Sequence, residues 1–450
     1  MSDIDSKISK ETPDKVFISQ IIINELFGTS NLRIPKEQIL SGDLSNLLVL
    51  YGDNGAGKTT ILRILYHLLS PIEGHGHKSQ LLKIPFKEFT VKFNTGAVVT
   101  AKRDDENLIG KYGIYFGFKN KEKEYFPLIP GPDGRARRGV QEEEYISLLK
   151  FLRQIGPSYT FITDDRKIYC TEDAEAMATE SERIKRGRRA IGTSTRSIYS
   201  EYDDTNELLD ITSAIAKFNF WIRKLIIVKS KIGADNIHTT YVELTKQLAK
   251  TRKSEPEINH EQLQKIISKL EELNKEISGF AKYKLLASFQ ADEFIDALKN
   301  SSPSNRHIIN TVLQPYINGI SENIKALAGV KSMLDIFLNH MNGFYNNKLI
   351  TYSPSDGLVI KSSLNDRIID PNILSSGEKQ LLLLLINCVL HRNGLSVIFV
   401  DEPELSLNIK WQRKLLDAIC DIADLNTTQF IFATHSLQVL QKFDDYIIKI

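Results

Sequence analysis

Gly52-Asp53-Asn54-Gly55-Ala56-Gly57-Lys58-Thr59 fits the pattern GxxxxGK followed by Ser or Thr, and its chemistry is phosphate binding. The glycines let consecutive backbone N–H groups turn inward around an anion, and a helix opening near Lys58 adds its positive end. Lys58 is placed to reach the β- and γ-phosphates of a nucleotide, the Thr59 hydroxyl to ligate Mg2+, and Thr60 belongs to the same contact set. Far along the chain, Val397-Ile398-Phe399-Val400-Asp401-Glu402 is an apolar run ending in two carboxylates. A buried parallel strand delivers side chains at its C-terminal edge, where ligands bind in α/β sheets. Asp401 would there hold Mg2+, directly or through water, and Glu402 would polarise an attacking water.

Two further segments gain meaning from these. Leu374-Ser375-Ser376-Gly377-Glu378 opens a strongly apolar helix, and small residues at a helix start offer hydroxyl and amide donors to an anion. Alone, the segment reads better as a simple capping sequence. Ala433-Thr434-His435-Ser436 follows a final strand; a lone histidine at a strand end is usually structural, so His435 takes a role only from its company.

The elements that must position these residues are legible from periodicity. Val16 to Leu26 reads as an opening strand, and Leu47 to Tyr51 as an apolar strand running into the glycine loop. Ile61, Leu62, Ile64, Leu65 and Leu68 fit one buried helix face between Thr59 and Leu69. Phe89 to Phe93, Val98 to Lys102 and Tyr112 to Phe118 read as antiparallel strands. A polar stretch runs from Gly131 to about Asp210, and helical patterning from about Leu208 to Asn342. Within the latter, Leu263, Ile266, Leu270, Leu273, Ile277 and Phe280 form a short heptad seam, too brief for a long rod, which predicts a helical hairpin closed within the chain. Strands return at Lys348 to Ser353 and Leu358 to Ser362. Helix and strand then alternate over Gly377 to His391, Ser396 to Val400, Lys410 to Ile422 and Phe430 to Ala433.

Composition bounds the class. An apolar share of 42% supports a buried core, and 58 basic against 56 acidic residues favour no polyanionic partner over the whole surface. Three scattered cysteines, with no CxxC pair, argue against a disulfide framework or a structural zinc site. The longest apolar run, Leu381 to Leu390, is about half of what a bilayer needs, and the N-terminus is polar without a signal-peptide core. A cytoplasmic protein with no membrane association is the expectation.

The four motifs, in this order, resemble the ABC ATPase set of Walker A, signature, Walker B and H-loop, over residues 16–130 and 345–445. The resemblance implies an α/β P-loop ATPase head, a mixed sheet with helices plus an antiparallel β subdomain, binding ATP and Mg2+. It also implies that two heads sandwich two ATP molecules. Ser375, Ser376 and Gly377 of one copy would then face the γ-phosphate held by the other, while His435 senses it within its own subunit. Lys58 and Ser375 lie 317 positions apart with a helical arm between them, and Asp401-Glu402-Pro403-Glu404-Leu405-Ser406-Leu407-Asn408 is similar to the SMC, Rad50 and RecF branch rather than to transporter ATPases. The expected layout is an N-terminal lobe over 1–130, an insertion of polar and basic loops then a short coiled-coil arm over 131–345, and a C-terminal lobe over 346–450. Segments such as Ile84-Pro85-Phe86 and Phe161-Ile-Thr-Asp-Asp-Arg166 also look like the ATPase subunits of bacterial anti-phage systems of the overcoming-lysogenisation-defect, Septu or PARIS type. That resemblance implies a nucleotide switch holding a separate nuclease or toxin until a phage component is sensed. The competing reading is a repair ATPase of the RecF or Rad50 kind that clamps DNA directly. The signature departs from the usual pattern (Ser-Ser-Gly-Glu), and Gln80 is the nearest candidate for a Q-loop glutamine.

Weaker features have bland readings beside the sharp ones. The basic runs Arg135–Arg138 and Arg183–Arg189, with Tyr199 and Tyr202 near them, could contact nucleic acid, although solvated loops are the default for such runs. His67, His75 and His77 lack a carboxylate or cysteine to complete a metal site. Asp164-Asp165 and Asp356 have no companions at useful spacing, and 15 residues after His435 are too few for a nuclease domain, so the chain is not expected to be a nuclease itself.

Overall fold

The structure is a computed structural model. It describes residues 15–34, 46–73, 76–119, 123–130, 142–165, 167–171, 211–250, 260–286, 289–301, 303–392, 394–423, 425, 427–440 and 446–450. The chain divides into two units, residues 1–210 with 376–450, and residues 211–375. The basic runs, His75, Tyr199 and Tyr202 lie outside the described residues.

The first unit is built on two six-stranded sheets among the described residues. One is antiparallel and consists of β1 (Ile18–Leu26), β2 (Ser30–Ile34), β4 (Glu88–Phe93), β5 (Ala97–Lys102), β6 (Tyr112–Phe118) and β7 (Glu124–Leu128), in the order β2-β1-β4-β5-β6-β7. The other runs in the order β14-β3-β13-β12-β8-β9, with β3 (Leu47–Tyr51), β8 (Ser158–Ile162), β9 (Ile168–Cys170), β12 (Ser396–Asp401), β13 (Thr428–Thr434) and β14 (Ile447–Lys449). It is parallel except for β9, which turns back on β8. Every residue of β12 and β13 is buried, as expected for parallel strands covered on both faces. Helix α1 (Lys58–Leu69) packs on this sheet through Ile61, Leu62, Ile64, Leu65 and Leu68, the face read from the sequence. These residues share one core with Ile21, Phe89, Phe116, Tyr159 and Phe399.

Two buried cations pin the segment that leaves α1. Helix α2 (His77–Gln80) carries Lys78, 5% exposed, whose Nζ donates to the carbonyls of His67, Leu68 and Ser70 at 2.8, 2.5 and 3.0 Å. It thereby satisfies carbonyls at the C-terminal end of α1 that have no partner within the helix. Burial lowers the Lys78 amine to about 7. Arg103, fully buried, donates to five backbone carbonyls, those of Phe86, Leu81, Ile84, Lys111 and Gly110, and lies over the Phe86 ring at 4.7 Å.

Helix α3 (Glu142–Ile155) packs Leu148, Leu149 and Leu152 inward and leads into β8. The polar stretch after Gly131 reads as loop in the sequence; its described part instead carries this helix and two strands of the central sheet, β8 and β9. The reason is that β8 is short and its partner β12 lies far along the chain, paired Ser158↔Ser396 to Ile162↔Val400. The three cysteines are free, with Cys388 buried.

In the second unit, helices α4 (Ile211–Lys250) and α7 (Pro303–Phe344) pack together, with α5 (His260–Ala281) and α6 (Ala291–Asn300) between them in sequence. On α5 the buried seam is Leu263, Ile267, Leu270, Leu273, Ile277 and Phe280. Ile267 takes the place expected for Ile266, because a straight helix of 3.6 residues per turn drifts off a strict heptad. Strands β10 (Lys348–Ser353) and β11 (Gly357–Ser362) form an antiparallel hairpin in the same unit. Helix α8 (Ser376–Leu390) then opens the C-terminal part of the first unit, with α9 (Ile409–Ile422) coming after β12 and α10 (Leu437–Leu440) after β13. No described helix is long and apolar enough to cross a membrane.

Candidate nucleotide site

Strand register brings the motifs together. Asp401 of β12 pairs with Ala433 of β13, and Thr434 pairs with Tyr51 of β3. Three strands therefore end side by side, and each one runs directly into a motif: Tyr51 into the glycine loop, Thr434 into His435, and Asp401 into Glu402.

Between β3 and α1 the loop turns sharply. Gly57, the N-cap of α1, has φ 94°, a left-handed conformation that L side chains rarely adopt. A Cβ there would also stand 3.1 Å from Leu26 and from the Phe27 ring. Lys58 is buried at 5% exposure, and its Nζ donates to Gly52 O at 2.9 Å and Asp53 O at 3.1 Å. Asp53, Asn54 and Gly55 are exposed at the loop's tip, and Ala56 and Thr60 are partly buried. Thr59 Oγ1 donates to Asp401 Oδ1 at 2.9 Å.

Asp401 is almost wholly buried, and its second oxygen, Oδ2, has no hydrogen-bond partner. Burial raises its carboxyl to about 6, with Asp164 and Glu402 adding to the effect and the Thr59 hydroxyl opposing it. A buried carboxylate oxygen without a donor, beside a threonine hydroxyl, is the donor set that suits Mg2+, and the turn around Lys58 suits a polyphosphate. The residues therefore fit Mg-nucleotide.

Glu402 holds a backbone φ of 45°, unusual for a glutamate, and its N–H donates to Ala433 O at 2.8 Å. Its carboxylate bridges two other motifs, with Oε1 3.7 Å from Lys58 Nζ and Oε2 2.5 Å from His435 Nδ1. Each motif side chain thus contacts one from a different strand end.

Two residues without a role in the sequence reading join this group. Asp164, two positions past the end of β8, lies near enough to Asp401 to raise it, so its companion is an acid 237 positions away. The signal was present: Phe161-Ile162 followed by Asp164-Asp165 repeats the pattern of an apolar strand ending in paired acids. Glu404 is 4% exposed and accepts from Thr434 Oγ1, His435 N and Ser436 N. Burial and the neighbouring Glu402 hold its carboxyl well above the usual range. Nothing local in the sequence distinguishes it. Among the described residues, Glu402, Glu404 and His435 bring three metal-ligating groups within 4.8 Å of one another.

The remaining expected residues sit elsewhere. Gln80 is exposed at the end of α2. Ser375 and Ser376 are exposed, whereas Gly377 is buried against the turn after Glu404. A Cβ on Gly377 would run into Ser406 O, so only glycine lets α8 start against that backbone. His67 Nδ1 and His77 Nδ1 are 3.1 Å apart in a ring cluster with Tyr66; burial, with Lys78 and Arg63, lowers His67 to about 3.

A phosphate loop between a parallel strand and a buried helix, with acids at the end of a neighbouring strand, defines a P-loop ATPase of α/β fold. The chain belongs to the AAA ATPase domain family, whose model matches residues 31–440. No curated protein matches it. Among solved structures it is similar to the Smc head domain with an extended coiled coil bound to the C-terminal domain of ScpA, from Pyrococcus furiosus. That match has 14% identity and a TM-score of 0.40, covering 96% of this chain and 93% of the other. A second is the SmcHead bound to the C-winged helix domain of ScpA, at 12% identity and a TM-score of 0.36, with the same coverages.

Proposed function

We propose that this chain is an ATP-hydrolysing switch that dimerises head to head around ATP and controls a separate effector, a nuclease or toxin, in bacterial anti-phage defence. The observation that carries the ATPase reading is the convergence of Lys58, Thr59, Asp401, Glu402 and His435 from three adjacent strand ends. Lys58 would exchange the Gly52 and Asp53 carbonyls for β- and γ-phosphate oxygens, with the loop amides around the same phosphates. Thr59 and Asp401 would hold Mg2+, which neutralises charge developing on the transferred phosphoryl group. Glu402, held by His435 through Oε2, would accept the proton of an attacking water, and His435 would track the γ-phosphate. Exposure of Ser375 and Ser376 suits contact with the nucleotide of a second copy. The defence role rests on the resemblance of the sequence motifs, and so does the effector.

The experiment is a pull-down of tagged Glu402→Gln protein from its host, with and without Mg-ATP, read by mass spectrometry and a nucleic-acid stain. A stoichiometric protein partner retained only with ATP supports the switch. Bound DNA without a protein partner replaces it with a clamp that acts on DNA directly.

A further inference from the structure

Glu404 takes no part in binding ATP or in its hydrolysis as proposed, yet it is among the most deeply buried acids described in the first unit, at 4% exposure. It sits in a tight turn, where Leu405 N donates to Glu402 O at 3.1 Å and Leu407 N donates to Glu404 O at 3.0 Å. That turn begins at the strained Glu402 backbone and includes Ser406, with φ 64°. A buried charge is costly unless its oxygens are used, so where they go decides what the residue does.

Oε1 is used three times. It accepts from the hydroxyl of Thr434, the last residue of β13, and from the N–H groups of His435 and Ser436, each at 3.2 Å. These are successive donors of the turn that carries His435, and the histidine ring stays within reach, Nδ1 to Oε1 3.5 Å. Oε2 has no hydrogen-bond partner, and the Glu402 carboxylate lies close to that of Glu404. Helix α9 closes the network: Gln412 Nε2 donates to Leu407 O at 2.9 Å, and Ser436 Oγ donates to Gln412 Oε1 at 2.9 Å. The turn after β12 and the turn after β13 are thus tied through one carboxylate.

We propose that Glu404 is the positioning residue of the site: it clamps the 434–436 turn to the 402–406 turn and so keeps His435 Nδ1 on Glu402. The inference rests on the proposed ATPase activity. Glutamate suits the task because one of its oxygens takes three donors. A shorter or apolar side chain leaves the His435 amide without this acceptor and Ser436 N with Thr434 Oγ1 alone, so the turn loses its tie to Glu404.

The test is a double-mutant cycle on ATP hydrolysis by the full chain. Glu404→Ala should lower kcat roughly tenfold to a hundredfold, as for a misplaced catalytic group, with KM for ATP within about twofold. In a His435→Ala background the same substitution should change kcat by less than about twofold, because the interaction it supports is already gone. Glu404→Gln retains an oxygen for the three donors and should stay within a few fold of wild type. Losses that multiply across the two backgrounds overturn the proposal. So does a divalent cation, tested with Mn2+ alone, that binds stoichiometrically without nucleotide and is lost in Glu404→Ala, since the carboxylate would then be a ligand.

A readout independent of ATP separates this idea from the one it rests on. Amide hydrogen exchange at His435 and Ser436 should quicken in Glu404→Ala and stay slow in Glu404→Gln, with β13 unchanged. Unchanged protection in both variants overturns the clamp. Wild-type protein that fails to hydrolyse ATP overturns the function and leaves the exchange result standing by itself.

Discussion

The hydroxyl of Thr59 and the carboxylate of Asp401 are 2.9 Å apart, although 342 positions separate them in the chain. No local preference brings them together. The contact arises because β13 lies between β3 and β12, so that the helix after β3 starts beside the end of β12. The chemistry of the site is therefore a property of strand order, and substitutions at the strand ends should each expose one consequence of that order.

Lys58→Ala removes the buried cation of the glycine loop that stands beside Glu402. ATP affinity should fall at least roughly a hundredfold, about 2.7 kcal/mol, in a titration with a fluorescent ATP analogue. Affinity within about threefold of wild type would place the phosphates elsewhere.

Glu402→Gln keeps the shape at His435 and loses the carboxylate proposed to accept the proton of the attacking water. Hydrolysis should drop on the order of 10²–10⁴-fold while ATP still binds. Light scattering after size exclusion should then show a dimer with Mg-ATP and a monomer without it. Hydrolysis at the wild-type rate would transfer the role of base to another residue.

Glu404 sets a pH dependence of stability. Its carboxyl is raised on folding from about 4.5 toward 7, so between those values the folded chain holds a proton that the unfolded chain has lost. Its contribution is fully present below pH 4.5 and is lost as pH rises toward neutrality. Asp401, raised to about 6, acts in the same sense. In urea unfolding of nucleotide-free protein, these two carboxyls should therefore draw stability down from about pH 5 to about pH 7, against the opposite pull of His67, lowered to about 3. Glu404→Gln should flatten part of that decline, on the order of 1–3 kcal/mol. A wild-type curve that falls no more steeply than that of Glu404→Gln over this interval contradicts the burial argument.

Arg103→Met should cost at least ~3 kcal/mol in urea unfolding, because five backbone carbonyls, two of them in buried bonds, lose the arginine donor at once. Arg103→Lys should recover little, since one ammonium cannot reach carbonyls on both sides of the guanidinium plane. A loss below about 1 kcal/mol would mean that water replaces the arginine.

Much of this architecture was legible because its signals are local. The glycine loop needs a strand before it and a helix after it, and both announce themselves within a few residues, as does the apolar run ending at Asp401 and Glu402. What stayed hidden depends on partners that are distant in sequence. Strand β8 has five residues and reads as part of a polar stretch until β12 pairs with it. Asp164 acquires its meaning only from that pairing. Lys78, Arg103 and Glu404 belong to residue types that usually face solvent, and each is buried because the fold gathers backbone groups around it. The shift of the α5 seam from Ile266 to Ile267 shows the same limit on a smaller scale, since period alone fixes a helix face to within one residue.

Lys78, fixed under the last turn of α1 with its amine lowered to about 7, also has a use as a chemical clock. Burial keeps amine-directed acylating reagents away from Lys78 for as long as the end of α1 stays closed. The rate at which Lys78 becomes acylated therefore counts excursions of that helix end, one residue at a time and without disturbing the phosphate loop at the other end.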